Sequence, residues 1–315
     1  MNFTTKIPIS KSDHSIDYSS KILSFGSCFS ENMGMKFDYY KFQNLTNPFG
    51  IIFNPVSIEN IINRIVNKIE FTENDVFFHN DIWNCFEVHS SLGHTNKELF
   101  IQNLNGTLQS ANNHIATSTH IVITYGTSWI YRNKFSNIVV ANCHKVLQNQ
   151  FDKEILSVGV IEKSIENTIL LIQKVNPNCK FIFTISPVRH IKDGFVENQR
   201  SKAHLITALH SSNFQLPTSI YFPSYEIMMD ELRDYRFYTG DMLHPNQVAV
   251  DYIWERFRDS IIDKNCFSTI QEVETIQKGL THRPFNEDSE SHQQFLVHLN
   301  EKIKCLQDQF SFISF

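Results

Sequence analysis

The sequence predicts an α/β fold in which a parallel sheet is covered by helices on both faces. Three observations point there. Short runs rich in apolar and β-branched residues alternate with helical patterns through residues 21–260. Each of these runs stops at or near Gly, Ser or Pro. The rhythm of strand, helix, strand, helix leaves parallel pairing with crossover helices as the simplest arrangement.

The first strand is expected at 21–25, KILSF, running into Gly26-Ser27-Cys28 and a polar segment able to begin a helix. Residues 57–69, SIENIINRIVNKI, place Ile58, Ile61, Ile62 and Val66 on one helical face, with Ser57 as the expected N-cap. Segment 75–90 reads as a strand pair turning at Asn80-Asp81. A helical pattern at 98–117 leads into a second strand at 119–125. Segment 129–148 reads as another hairpin, turning near Asn133 to Asn137. Both hairpins interrupt the α/β rhythm and belong on loops beyond the sheet, where specificity elements commonly sit. Helix 158–175, strand 180–186, helix 198–210, strand 219–222 and helix 246–260 complete the alternation.

Beyond residue 260 the pattern changes to two helices, 268–278 and 287–310, separated by GLTHRPFNE. Phe295, Leu299, Ile303, Leu306 and Phe310 form one apolar stripe on the second. The expected organisation is one domain over 1–260 and a helical extension over 261–315. That extension packs on the same domain or mediates a homo-oligomer.

Composition narrows the function classes. With 41% apolar and 13% aromatic residues in 315, the chain can bury a large core. A formal net charge of −5 leaves no electrostatic footprint for nucleic acid or an anionic membrane. No apolar run approaches the ~18 residues of a membrane span, and the N-terminal MNFTTKIPISKSDHS lacks a signal-peptide pattern. The expectation is a soluble, cytoplasmic protein. Six cysteines without a C-x-x-C pair suit neither a disulfide framework nor a zinc ribbon. His79, His89, His94, His114 and His120 show no ligand spacing. No metal and no cofactor are implied.

Two stretches carry potential chemistry. Ser27 and Cys28 offer two nucleophiles at the mouth of a strand-to-helix turn. At the other end, TGDMLHPNQVAV places Asp241 three residues before His244, just ahead of a helix. That spacing lets the carboxylate hold one imidazole nitrogen, fix the tautomer and leave the other nitrogen as a general base. In a parallel sheet both stretches fall at the same edge, where α/β proteins bind ligands.

Phe25-Gly26-Ser27-Cys28-Phe29 resembles the Gly-Ser-Cys-Phe-Ala signature of the GSCFA family, with Ser30 in place of the final Ala. NPFGIIFNP at 47–55, ANCHK at 141–145, SPVRHIKDG at 186–194, SKA at 201–203, YFPSYEIMMDELRDYRFY at 221–238 and DMLHP at 241–245 extend the resemblance. The family in turn is similar to the SGNH/GDSL hydrolases. This implies a three-layer α/β/α, flavodoxin-like fold, with a nucleophile after the first strand and an Asp-x-x-His near the end.

Laid over the Gly-Asp-Ser block of those hydrolases, the nucleophile position falls on Cys28 and the aspartate position on Ser27. Cys28 is preferred, because a thiol near a histidine and at a helix N-terminus has two causes of a lowered pKa. Ser27 is the alternative. The resemblance assigns oxyanion donation to the nucleophile's own N–H and to Gly50, although Gly50 could equally serve a turn. Ser128 stands where an asparagine is expected, and Asn142 is a possible substitute if its hairpin folds over the site. In an extended ANCHK hairpin, Asn142 and His144 share a face. Arg189 either clamps a substrate carboxylate or phosphate or pairs with an acidic residue such as Asp193, the pairing being preferred. Glu226, Arg233 and Asp234 read as solvated charges of a helix.

The implied activity is that of an esterase, a hydrolase acting on ester bonds, with a small-molecule or carbohydrate ester as substrate. An O-acyltransferase drawing on an acyl thioester donor and a catalytically degenerate binding module are the alternatives. A metal-dependent hydrolase has only scattered His and Asp in its favour.

Overall fold

A computed structural model describes residues 4–211 and 218–315. The chain opens its sheet with β1 (Lys21–Gly26), then α1 (Cys28–Tyr39), β2 (Gln43–Thr46) and α2 (Pro55–Val66). A hairpin of β3 (Phe77–His79) and β4 (Ile82–Asn84) precedes α3 (Lys97–Thr117) and β5 (His120–Tyr125). Next come β6 (Trp129–Asn133), β7 (Val139–Val140), β8 (Phe151–Ile155), α4 (Val158–Val175), β9 (Lys180–Ile185) and α5 (Phe195–Leu209). The chain continues through β10 (Ser219–Phe222), the short α6 (Ser224–Glu226) and α7 (Gln247–Ile261), and closes with α8 (Phe267–Leu280) and α9 (Glu290–Gln309).

Among the described residues, five strands form one parallel sheet in the order β10-β9-β5-β1-β2. Counted by first appearance that is 2-1-3-4-5, the flavodoxin-like order. Its reversal point lies between β1 and β5. The strands alternate between two apolar cores. Leu23, Phe25, Ile121, Ile123, Phe181 and Phe183 pack with Ile61, Leu104, Ile165 and Leu205 of α2 to α5. Ile22, Val122, Ile182 and Phe222 pack with Phe37, Phe257 and Ile276 on the opposite face. A strand buried on both sides is apolar without a break, which is why 21–25, 119–125 and 180–186 stand out in the sequence. The fold is three-layered α/β/α.

Several boundaries differ from expectation for local reasons. The helix expected at 57–69 begins at Pro55, capped by Asn54, whose side chain accepts the Ser57 N–H; a proline is well placed in a first turn. Strand β2 is short and half-buried along its length, so it lacks the periodicity that would have marked it. The second insertion is larger than a hairpin: β6 pairs with β7 on one side and β8 on the other. The first turns at Asn80 and Asp81, both at positive φ. Residues 224–231 form one helical turn running into a π-helical one. Glu226 there is half-buried and accepts the Tyr221 hydroxyl, so it is not a solvated charge, whereas Arg233 and Asp234 are exposed as expected; Glu231 is buried against Arg256 and Tyr252.

Helices α8 and α9 share the second core with α1 and α7: Ile270, Val273, Leu299 and Leu306 are buried there. Tyr18 packs on Phe310, and Gln277 donates to Tyr39 O at 3.0 Å. No helix among the described residues is long and apolar enough to cross a membrane.

Candidate active site

The ends of β1, β5 and β9 bring the conspicuous residues to one edge of the sheet. Gly26, at φ 148°, closes β1 against its neighbour. A Cβ there would lie 2.3 Å from Thr124 O, so only glycine lets the chain turn at this point. Asn47 Oδ1 accepts the Gly26 N–H, Ile52 N–H donates to Gly26 O, and Ser27 N–H donates to Thr124 O. The turn is fixed from three sides.

Ser27 is 1% exposed and caps α1, its Oγ accepting the Phe29 N–H. Cys28 is the first residue of that helix and is only partly buried. Burial nevertheless pushes its thiol up from the ordinary value, with Glu31 adding to the rise. Lys202 and the N–H groups of Phe29 and Cys28 pull the other way without prevailing. The lowered pKa expected from sequence is therefore corrected. The helix N-terminus acts as anticipated, but desolvation outweighs it, and a cation that acts on the thiol is a lysine.

Asp241 and His244 form the anticipated pair. His244 Nδ1–H donates to Asp241 Oδ2 at 2.6 Å, while Oδ1 accepts the Thr239 hydroxyl and the N–H groups of Leu243 and His244. These bonds, led by the His244 N–H, hold the Asp241 carboxyl well below the usual carboxylate range. His244 Nε2 makes no hydrogen bond among the described residues. Arg189 braces this loop. Its N–H donates to Leu243 O, its Nη2 to Met242 O, and its guanidinium lies 4.5 Å from the centre of the Tyr238 ring. The expected Arg189–Asp193 pair does not form, because Asp193 is taken by Lys153 of β8.

His190 links the two halves of the edge. Its ring stacks on Phe53, and its Nε2 would lie 3.4 Å from a Cβ on Gly126, as would the Cβ of Ser27. That nitrogen is buried without a partner. Burial, the Lys202 charge and the His244 charge together push His190 down to about 3. It is a neutral imidazole at this sheet edge, near enough to His244 for its charge to be felt.

Sequence reasoning attached no role to Lys202. The side chain is 1% exposed, and its Nζ donates to Gly126 O and Ser186 O, both at 2.7 Å. Burial pushes its pKa down to about 7. A signal was present: Asn198, Ser201, Lys202, Leu205 and Leu209 are the buried stripe of α5, and a lysine on such a stripe calls for a reason.

Two of the oxyanion donors that the resemblance implies are engaged elsewhere, and the third, Asn142, sits in a turn. Gly50, at φ 73°, spends its N–H on Asn47 O at 2.7 Å in a tight turn. Ser128 is fully buried, and its hydroxyl donates to Ser201 O. Asn142 Oδ1 accepts the His144 N–H, closing a turn rather than extending a strand. His144 and Lys145 both have positive φ, so the expected shared face of Asn142 and His144 does not arise. His144 is buried and its Nε2–H donates to Cys85 O at 2.7 Å. Among the described residues, no group of three His, Cys, Asp or Glu side chains is placed to hold a metal ion.

A family model described as the GSCFA family matches residues 21–257. A second, described as the GSCFA domain protein C-terminal domain, matches residues 273–315. Comparison with curated proteins returns no match. The first match spans β1 to α7 and so contains the thiol, the buried lysine and the Asp241–His244 pair.

Proposed function

For a chain that belongs to the GSCFA family, we propose acyl chemistry at this sheet edge: an ester hydrolase using Cys28 as nucleophile, His244 as base and Asp241 to orient the base. The observation that carries the reading is the Asp241–His244 hydrogen bond of 2.6 Å, which leaves His244 Nε2 without a partner at the edge where Cys28 begins α1.

In this reading His244 Nε2 accepts the thiol proton and the sulfur pair attacks the ester carbonyl carbon. The alkoxide leaves with the proton that His244 returns, and a thioester remains on Cys28. Water then hydrolyses it. An alcohol in place of water turns the same intermediate into an O-acyl transfer. Oxyanion stabilisation falls to the Cys28 N–H, since Gly50 and Ser128 have spent their donors.

Those spent donors also favour a second reading, a binding module on the same fold that no longer turns substrate over. Intact-mass analysis separates the two. Wild type, Cys28→Ala, Ser27→Ala and His244→Ala are exposed briefly to an activated acetyl ester and, separately, to acetyl-CoA. Acyl chemistry through Cys28 requires an adduct in wild type and Ser27→Ala that is lost in the other two. No adduct in wild type, where a control esterase acylates, leaves the binding module.

A further inference from the structure

The Asp241–His244 pair sits on an exposed turn that is bonded mostly to itself. Thr239 N–H donates to His244 O, Met242 N–H donates to Thr239 O, and Asp241 Oδ1 gathers three further donors from inside. Among the described residues, the hydrogen bonds that leave residues 239–244 all end at Arg189. Its backbone N–H donates to Leu243 O at 3.3 Å, and its Nη2 donates to Met242 O. Met242 has φ 61°, a left-handed conformation uncommon for such a side chain. The carbonyl taken by the guanidinium thus belongs to the strained residue of the turn.

The grip comes from a fixed place. Ser186 N–H donates to Tyr125 O at 2.8 Å, Val188 is buried, and His190 N–H donates to Oδ1 of the buried Asn198 at 2.9 Å. Arg189 therefore lies between anchored neighbours just beyond β9. Its guanidinium rests 4.5 Å from the centre of the Tyr238 ring and 5.3 Å from that of Tyr235. Both rings belong to the segment that leads into the turn, so one side chain holds the turn and its approach.

We infer that Arg189 is a positioning residue for His244: by tying Met242 O and Leu243 O to the end of β9, it keeps the imidazole on Asp241 with Nε2 free. The inference rests on His244 being the base of the site. Arg189 takes no proton and touches no reacting atom. Its effect passes through the backbone of the turn, because His244 Nδ1 reaches Asp241 Oδ2 only while the turn keeps its shape. A lysine could reach the Met242 carbonyl but would lack the planar face that lies on Tyr238.

The test reads the imidazole itself. In protein carrying nitrogen-15 histidine, long-range proton–nitrogen correlations give the tautomer of His244 at about pH 9, well above the ordinary imidazole value of about 6.5. The signal is assigned by its loss in His244→Gln. Wild type is expected to hold the proton on Nδ1. In Arg189→Met the loosened turn lets the Nε2–H tautomer rise to a comparable population, and Arg189→Lys falls between. Turnover of an activated ester drops about tenfold in Arg189→Met, through kcat, with KM within about twofold of wild type. Tm is followed in each variant. If Arg189→Met does not fold, Arg189→Gln, too short to reach Met242 O, decides. A folded deciding variant that keeps the wild-type tautomer overturns the inference, as does a wild type that already mixes the two. The tautomer is read without substrate, so failure of ester turnover in wild type counts against the acyl reading and is seen separately from failure of the Arg189 role.

Discussion

Ser27 caps the helix that Cys28 begins. The hydroxyl accepts the Phe29 N–H from a position 1% exposed, and the thiol beside it is partly accessible. Two neighbouring nucleophiles thus have different structural duties, and their variants should part company. Ser27→Ala loses a helix cap and is expected to cost about 1 kcal/mol in urea denaturation. Its Cys28 alkylation rate should stay within about twofold of wild type. A Ser27→Ala protein of normal stability would contradict the capping role.

Asp241 accepts four hydrogen bonds, and only one of them comes from the imidazole. In Asp241→Asn, an amide facing His244 Nδ1 would favour the tautomer whose Nε2 carries the hydrogen, and that nitrogen cannot act as a base. Turnover of an activated ester is expected to fall by about 10³-fold or more, while the 239–244 turn survives. Because the carboxyl is held below its usual range, its contribution to the loop is present above about pH 4 and is lost only as pH falls through its own lower pKa. Lowering the pH from about 7 to 5 should therefore leave Asp241 charged. Turnover in Asp241→Asn within about tenfold of wild type at about pH 7 would contradict the orienting role.

Acid should weaken the fold through its buried histidines. Burial pushes His120, His144 and His190 below the ordinary imidazole value, His190 to about 3. Between the folded pKa and the unfolded value of about 6.5, the unfolded chain binds more protons, so stability falls as pH drops through that window. Asp17 and Asp75, whose carboxyls are lowered, begin to lose stability only near and below about pH 4. Tm should therefore decline from about pH 7 to 5, and less steeply in His190→Phe. A flat Tm over that interval would mean that these rings gain protons without leaving their places.

The sheet was legible because burial on both faces writes itself as unbroken apolar runs, and the crossover helices because one buried face recurs at helical spacing. Helix 158–175 is found at Val158–Val175, with Ile161, Ile165, Ile169 and Ile172 along its buried face. What escaped was structure without periodicity. Strand β2 is half-buried at the sheet edge, and β8, FDKEI, alternates too little to announce a third strand. At the candidate site, the neighbouring Ser27 and Cys28 and the hydrogen-bonded Asp241–His244 pair were readable from motif and spacing. The engaged state of Gly50 and Ser128 was not, because it depends on carbonyls of Asn47 and Ser201, and no sequence distance reveals those meetings. The sign of the Cys28 shift was hidden likewise, since desolvation is a property of packing rather than of neighbours in the chain.

The two insertions leave the sheet at different crossovers, yet they are stitched to each other. Ala141 N–H donates to Phe86 O, His144 donates to Cys85 O, and Phe86 stacks on Phe77 while its edge meets Phe151. The 85–86 backbone is thus a shared hem. A change in length of either hairpin that moves this hem displaces the other, so the two cannot drift independently. Any change of shape in one segment has to be matched in the other.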